Sequence, residues 1–194
     1  MNDFFLQFNK FLTPYGFTEV DLAQLNQMCE IASFNKGDII INAGVKQNHI
    51  YFICKGIVRN YVFTEVGEIK TYGFRMENMT STGYSNYSDD LKAKVSVECL
   101  EPCIMIKVPL TAVLFMIDHT KVADKVGRYL AETHVMELVD LILDIDTKSL
   151  LDRYNSLDIK FPNIHQRVAQ HIIASYLGTT AVHLSRIKNA KNNR

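Results

Sequence analysis

No apolar run in the chain approaches the roughly 18 residues that a membrane-spanning helix needs. One of the longest, Leu138 to Ile145, is interrupted by Asp140 and Asp144. The N-terminal stretch from Met1 to Lys10 is rich in Phe but lacks a basic n-region and a small-residue cleavage site. No signal peptide is read there, so the protein is expected in the cytoplasm, with no membrane partner. Low complexity is missing as well. Hydrophobic residues make up 47% and charged residues 22% of the 194, as in an ordinary folded chain.

Cysteine and histidine chemistry is sparse. The four cysteines, Cys29, Cys54, Cys99 and Cys103, form no Cys-x-x-Cys pair. Read on one strand, Cys99 and Cys103 share a face about 13 Å apart, too far for a disulfide. The expectation is four reduced, mostly buried thiols. The six histidines are scattered, with no His-x-His or His-Glu-x-x-His. No metal site and no cofactor are expected. An enzyme on a cupin-like roll would gather two or three His with a carboxylate, and the roll region offers only His49. The protein is therefore not read as an enzyme.

Acidic residues are missing from one segment. Lys160 to Arg194 holds six Lys or Arg and no Asp or Glu, so the first 159 residues carry a net −6 and this tail +6. A zero overall charge thus conceals an acidic body with a basic end. Such asymmetry points to an acidic polymer as the partner of the tail. A chance run of solvated charge is the bland alternative.

The chain changes character twice. Residues 3–32 read as helical, with Phe4, Phe5, Phe8 and Leu12 at helical spacing and Thr18 as N-cap of a second helix. From Phe34 to Val108, short apolar or alternating runs are punctuated by glycines. The runs are Asp38–Asn42, His49–Lys55, Gly56–Thr64, Ile69–Phe74, Val95–Leu100 and Ile104–Val108. They predict short antiparallel strands closing into a roll. The polar loop Asn78 to Asp90 is where a ligand is expected to meet it. Pro109 begins a short helix, and Thr120 caps a long one running toward Asp144. The C-terminal half of that helix is apolar on more than one face. A second subunit is expected to cover it, unless both faces pack within the monomer.

The basic tail reads as two helices around a tight turn: Gln170–Leu177, then Gly178-Thr179, then Thr180–Lys188. Ala174 is small where the helices cross, Gly178 suits the turn, and Ile173, Leu177, Leu184 and Ile187 supply apolar contacts. At these offsets the pattern is that of a helix-turn-helix. The second helix would enter a DNA major groove. Arg186 is the best base reader and Ser185 a second, while Thr180, Ala181 and Val182 lie at its N-terminal end. Lys188, Lys191, Arg194 and Arg167 would neutralise phosphates.

With this order of elements the chain resembles the Crp/Fnr family of bacterial transcription regulators. The resemblance spans nearly the whole chain. In the roll it rests on Gly37-Asp38-Ile39-Ile40, Ala43-Gly44 and the stretch Ile50 to Arg59; at the end it rests on Ile173 to Gly178 and Leu184 to Ile187. It implies an α+β fold with N-terminal helices and an antiparallel, cyclic-nucleotide-binding-type roll as sensor (1–118). A dimerisation helix (119–146) and a helix-turn-helix domain (147–194) follow. It also implies a homodimer on a palindromic operator in double-stranded DNA, with half-sites roughly 34 Å apart. Many members continue into a β-wing after the recognition helix; this chain is expected to lack one.

The resemblance also implies where an effector would bind. Nucleotide-binding members carry a Gly-Glu pair and, further on, an Arg for the phosphate. Here the pair reads Gly83-Tyr84, and Leu91 to Val95 contains no Arg. Lys92 or Lys94 would attract a phosphate only as a point charge, or both are plain surface lysines. Cyclic AMP is therefore not the expected effector. The reading is a dimeric DNA-binding regulator whose effector is unknown or lost. The alternative is a small-molecule sensor that no longer binds DNA.

Overall fold

In a computed structural model, residues 2–84, 90, 92–120 and 122–192 are described, the side chains of 190–192 excepted. The Phe-rich N-terminus forms α1 (Asp3–Leu12), opened by Asn2, whose side chain accepts the Phe4 amide at 3.0 Å. A 3-10 turn at Thr13–Tyr15 leads to α2 (Glu19–Met28). Thr18 caps α2 as expected, in a reciprocal box with Asp21 that satisfies two otherwise orphaned amides. The helix does not reach residue 32. Cys29 turns extended, and Glu30–Phe34 becomes β1, paired antiparallel with β8 from Glu30↔Lys107 to Phe34↔Cys103. Glu30 and Lys107, opposite one another, form an ion pair.

The remaining strands are β2 (Ile39–Ile41), β3 (His49–Lys55), β4 (Val58–Phe63), β5 (Ile69–Arg75), β6 (Thr80–Ser81), β7 (Ser96–Cys99) and β8 (Cys103–Pro109). They form two four-stranded sheets, ordered β1-β8-β3-β6 and β2-β7-β4-β5. All six expected runs are strands; β1 and β6 are additional. Strand β3 is apolar from Ile50 to Cys54 because both its faces are covered. Tyr51 and Ile53 point into the roll with Val58, Val97 and Met105. Phe52 and Cys54 point the other way, into a core with Phe8, Leu12, Leu25, Ile106 and Met116. The alternation follows from the period of two along a strand.

The β7–β8 turn corrects the reading of the cysteines. Residues 100–102 carry the chain from β7 in one sheet to β8 in the other, so Cys99 and Cys103 do not share a strand, and both side chains enter the same core. Both are buried and reduced.

Pro109 precedes α3 (Leu110–His119). The Thr120 hydroxyl accepts the Ala123 amide at 3.3 Å at the start of α4 (Ala123–Thr147), a 25-residue helix with no fully buried residue. Short helices follow: α5 (Leu150–Asn155), α6 (Leu157–Lys160), α7 (Ile164–Arg167), α8 (Gln170–Tyr176) and α9 (Ala181–Asn192). Among the described residues no helix is long and apolar enough to cross a membrane. The chain divides into two compact units, Met1–Asn60 with Phe74–Glu132 and Tyr61–Gly73 with Thr133–Arg194. The second unit has its own core, centred on Phe161, Ile164, Ile173, Ala174 and Leu184.

Candidate functional site

Helices α8 and α9 pack around a turn whose geometry the sequence dictates. Gly178 adopts φ 73°, a left-handed conformation that costs a residue with a Cβ about 1–2 kcal/mol. The next amide, Thr179, bonds back to the Ala174 carbonyl at 2.9 Å. Thr180 then caps α9, its hydroxyl accepting the His183 amide at 3.1 Å. Ile173, Ala174, Leu177 and Leu184 are buried, and Ile187 is half-buried.

What remains outward is a polar helix face. Thr180, Val182, His183, Arg186 and Asn189 are exposed, and Ala181 and Ser185 are half-buried. Val182, Arg186 and Asn189 form one stripe at i, i+4, i+7 spacing. Arg186 makes no ion pair with another described residue. Lys188 is held differently from Arg186. Its Nζ donates to the Tyr154 hydroxyl at 2.8 Å and lies 4.6 Å from the centre of that ring. The ring in turn packs on His165, with centroids 4.2 Å apart. Lys191 continues α9 in backbone, but its side chain and all of Arg194 lie outside the described residues. Arg167 is half-buried in α7.

Sequence reasoning missed how α8 is anchored. Ser175 Oγ accepts the Thr71 amide and donates to the Ile69 carbonyl, both on β5. Nothing local in Ser175 signals this, because its partners are a hundred residues away.

The roll of the first unit holds the second group of expected residues. Gly83 is buried, its amide donating to Gln47 Oε1 at 2.8 Å. A Cβ there would meet Ala93 Cβ at 2.5 Å, so only glycine fits without displacement. Tyr84 follows in the left-handed region at φ 53°, and its hydroxyl accepts from Arg75 Nη2 at 3.2 Å. Lys92 and Lys94 are exposed. Lys92 forms a backbone bridge with Lys46, whose ammonium pairs with Asp90 at 2.8 Å and holds that carboxyl below its usual range. Residues 85–89 and 91 of the expected ligand loop lie outside the described residues.

Two arginines not singled out from the sequence also belong to the roll. Arg75 is 5% exposed and donates to the Phe74 carbonyl as well as to Tyr84. Arg59 is 9% exposed and pairs with Glu98 at 2.6 Å. A buried arginine on a strand needs such partners. The sequence signal is weak, since an Arg in an alternating run reads as a solvent-facing residue.

Comparison with known proteins agrees with this architecture. Residues 31–120 match the family model described as the cyclic nucleotide-binding domain. The chain superposes on FixK2 from Bradyrhizobium japonicum with a TM-score of 0.74, at 14% identity over 85% of each chain. A protein from Eubacterium rectale assigned to the Crp/Fnr family of transcriptional regulators gives 0.71, at 16% identity over 95% of this chain and 85% of that one. The c-di-GMP-responsive global regulator CLP of Xanthomonas campestris gives 0.68, at 11% identity over 91% and 93%. No curated protein sequence matches. The chain thus shares the fold of these proteins, and its residues 31–120 are similar to the cyclic nucleotide-binding domain.

Proposed function

We propose that the protein is a dimeric, sequence-specific DNA-binding transcription regulator. One observation carries the reading: a capped helix α9 presents Thr180, Val182, His183 and Arg186 outward, in a segment from Lys160 onward without a single acid. In this reading Arg186 and Ser185 contact base edges. Thr180, Ala181 and Val182 lie at the groove floor, and Lys188 and Lys191 neutralise phosphates. Exposed Val135, Leu138, Ile142 and Ile145 recur at three- and four-residue spacing along α4. That is the seam a parallel helix pair buries, and it supports a homodimer on a palindromic operator.

The roll is the sensor in this proposal. Gly83, Tyr84, Lys92 and Lys94 border the loop where an effector would enter. Tyr84 stands where nucleotide-binding relatives carry Glu, and its hydroxyl already holds Arg75. This supports an effector other than cyclic AMP. An effector acts only through tighter binding to the DNA-competent arrangement.

A second reading, a sensor that no longer binds DNA, is favoured by Val182, 61% exposed and apolar where a polar reader would serve. Selection of bound duplexes from a random pool, followed by a salt titration, separates the two. The regulator enriches a palindrome, and its affinity falls steeply with salt. Lack of affinity for any duplex at low salt overturns it.

A further inference from the structure

The first unit holds a half-open apolar pocket of about 140 Å³ between the N-terminal helices, the β1-β8-β3-β6 sheet, α3 and the first turns of α4. Its floor is aromatic: the rings of Phe8 and Phe11 each lie 5.1 Å from Phe52, centroid to centroid. Met116 closes one side, and Gly127 leaves a gap at the mouth where an added Cβ meets nothing within 4 Å. Thr80 is the one polar side chain among the described lining residues, and none of these is charged.

Those properties restrict what can fill the space. A held water needs two to four polar partners, and one threonine hydroxyl does not provide them. An empty apolar void forfeits the dispersion contacts of every side chain that lines it. A charged occupant would be desolvated with no counter-ion. The volume matches that of an apolar protein cavity, about 150 Å³, that takes up benzene or xenon.

We propose that this cavity is a binding site for a small, uncharged, hydrophobic molecule the size of a single aromatic ring. Neither Gly83 nor Tyr84 lines it, and Thr80 is the one lining residue from the Asn78–Asp90 stretch. Ala123, Val126, Gly127 and Leu130 of α4 form one wall, and the same helix continues to Thr147. Occupancy therefore acts directly on the position of α4. The inference goes beyond the DNA-binding reading and stands or falls without it.

The test uses the full chain and benzene, indole and benzoate as probes, with binding followed by ligand-observed NMR and by thermal unfolding. Benzene and indole bind saturably with one site per chain and raise Tm, because they bind the folded state alone. Benzoate, ring-sized but charged, binds at least about tenfold more weakly. Val126→Phe fills the cavity and abolishes benzene binding, Gly127→Leu weakens it, and Gly127→Ala retains it. Two variants are used because a leucine at 127 has room to turn toward solvent. Absence of saturable benzene or indole binding up to solubility overturns the proposal. So does benzoate binding as tightly as benzene, or folded Val126→Phe binding benzene as the parent does.

Discussion

Ser175 Oγ accepts the Thr71 amide at 3.0 Å and donates to the Ile69 carbonyl at 3.1 Å, one hydroxyl satisfying two backbone groups of β5. Thr71 is 3% exposed, so water does not replace the lost partner freely. Ser175→Ala is expected to destabilise the second unit by about 1–3 kcal/mol, the cost of a buried donor left unpaired. Urea unfolding gives the magnitude. Amide exchange at Thr71 locates it, with protection falling there more than at Leu184 in the core of the same unit.

Arg186 and Lys188 are two residues apart on α9 and have different jobs. Arg186 is exposed, so Arg186→Ala leaves unfolding free energy within about 0.5 kcal/mol. At the cognate DNA it costs about 1–3 kcal/mol and relaxes base preference. Lys188 is engaged with Tyr154 at 2.8 Å. Lys188→Ala is expected to lower stability by about 1 kcal/mol through the lost hydrogen bond and ring contact. It weakens cognate and random DNA alike. Fluorescence anisotropy on both duplexes, beside denaturation of each variant, checks the division. Loss of stability in Arg186→Ala without loss of specificity would contradict it.

The parts legible in the sequence are those whose determinants are local or periodic. Gly178, Ala174 and Thr180 announce the α8–α9 turn because each meets a demand set within a few residues. Strands β3 and β8 stand out because burial on both faces makes Ile50–Cys54 and Cys103–Ile106 continuous apolar runs. Strand β1 was hidden because Cys29 keeps helical phase with α2, and only its distant partner β8 decides that Glu30–Phe34 is extended. Two-residue β6 has no pattern to read. That Cys99 and Cys103 share a core is not legible from spacing along a strand, because residues 100–102 lead from one sheet to the other. Arg75 with Tyr84, Arg59 with Glu98 and Lys188 with Tyr154 are pairings across the fold. No spacing rule reaches them.

Gly83 offers a test of packing at the sensor loop. An alanine methyl there would sit 2.5 Å from Ala93 Cβ and 2.9 Å from both Gln47 Oε1 and Ile41 Cγ2. Gln47 is tied to the Gly83 amide at 2.8 Å and to the His49 carbonyl at 2.6 Å, so it does not yield. Gly83→Ala is expected to cost about 1–3 kcal/mol by overpacking. Adding Ala93→Gly removes the closest contact. A double-mutant cycle should therefore show the pair losing less than the sum of the single changes.

Two thiols weaken the fold at alkaline pH. Burial pushes Cys29 up to about 12 and Cys54 up to about 11. In the unfolded chain both ionise near the ordinary thiol value of about 8.5. Above that value the unfolded state binds fewer protons than the folded one, so stability falls as pH rises. The contribution is complete below about pH 8 and is lost progressively through pH 11–12. Each thiol adds a slope of at most about 1.4 kcal/mol per pH unit. Urea unfolding at pH 8, 9 and 10 should show this decline, and Cys29→Ala should make it shallower by removing one group. The same protonation keeps both sulfurs poor nucleophiles, so iodoacetamide at pH 8 should label them far more slowly than in urea-unfolded protein. Equal labelling rates in the two states would mean that the cores around Cys29 and Cys54 open freely, and the alkaline decline would then vanish with them.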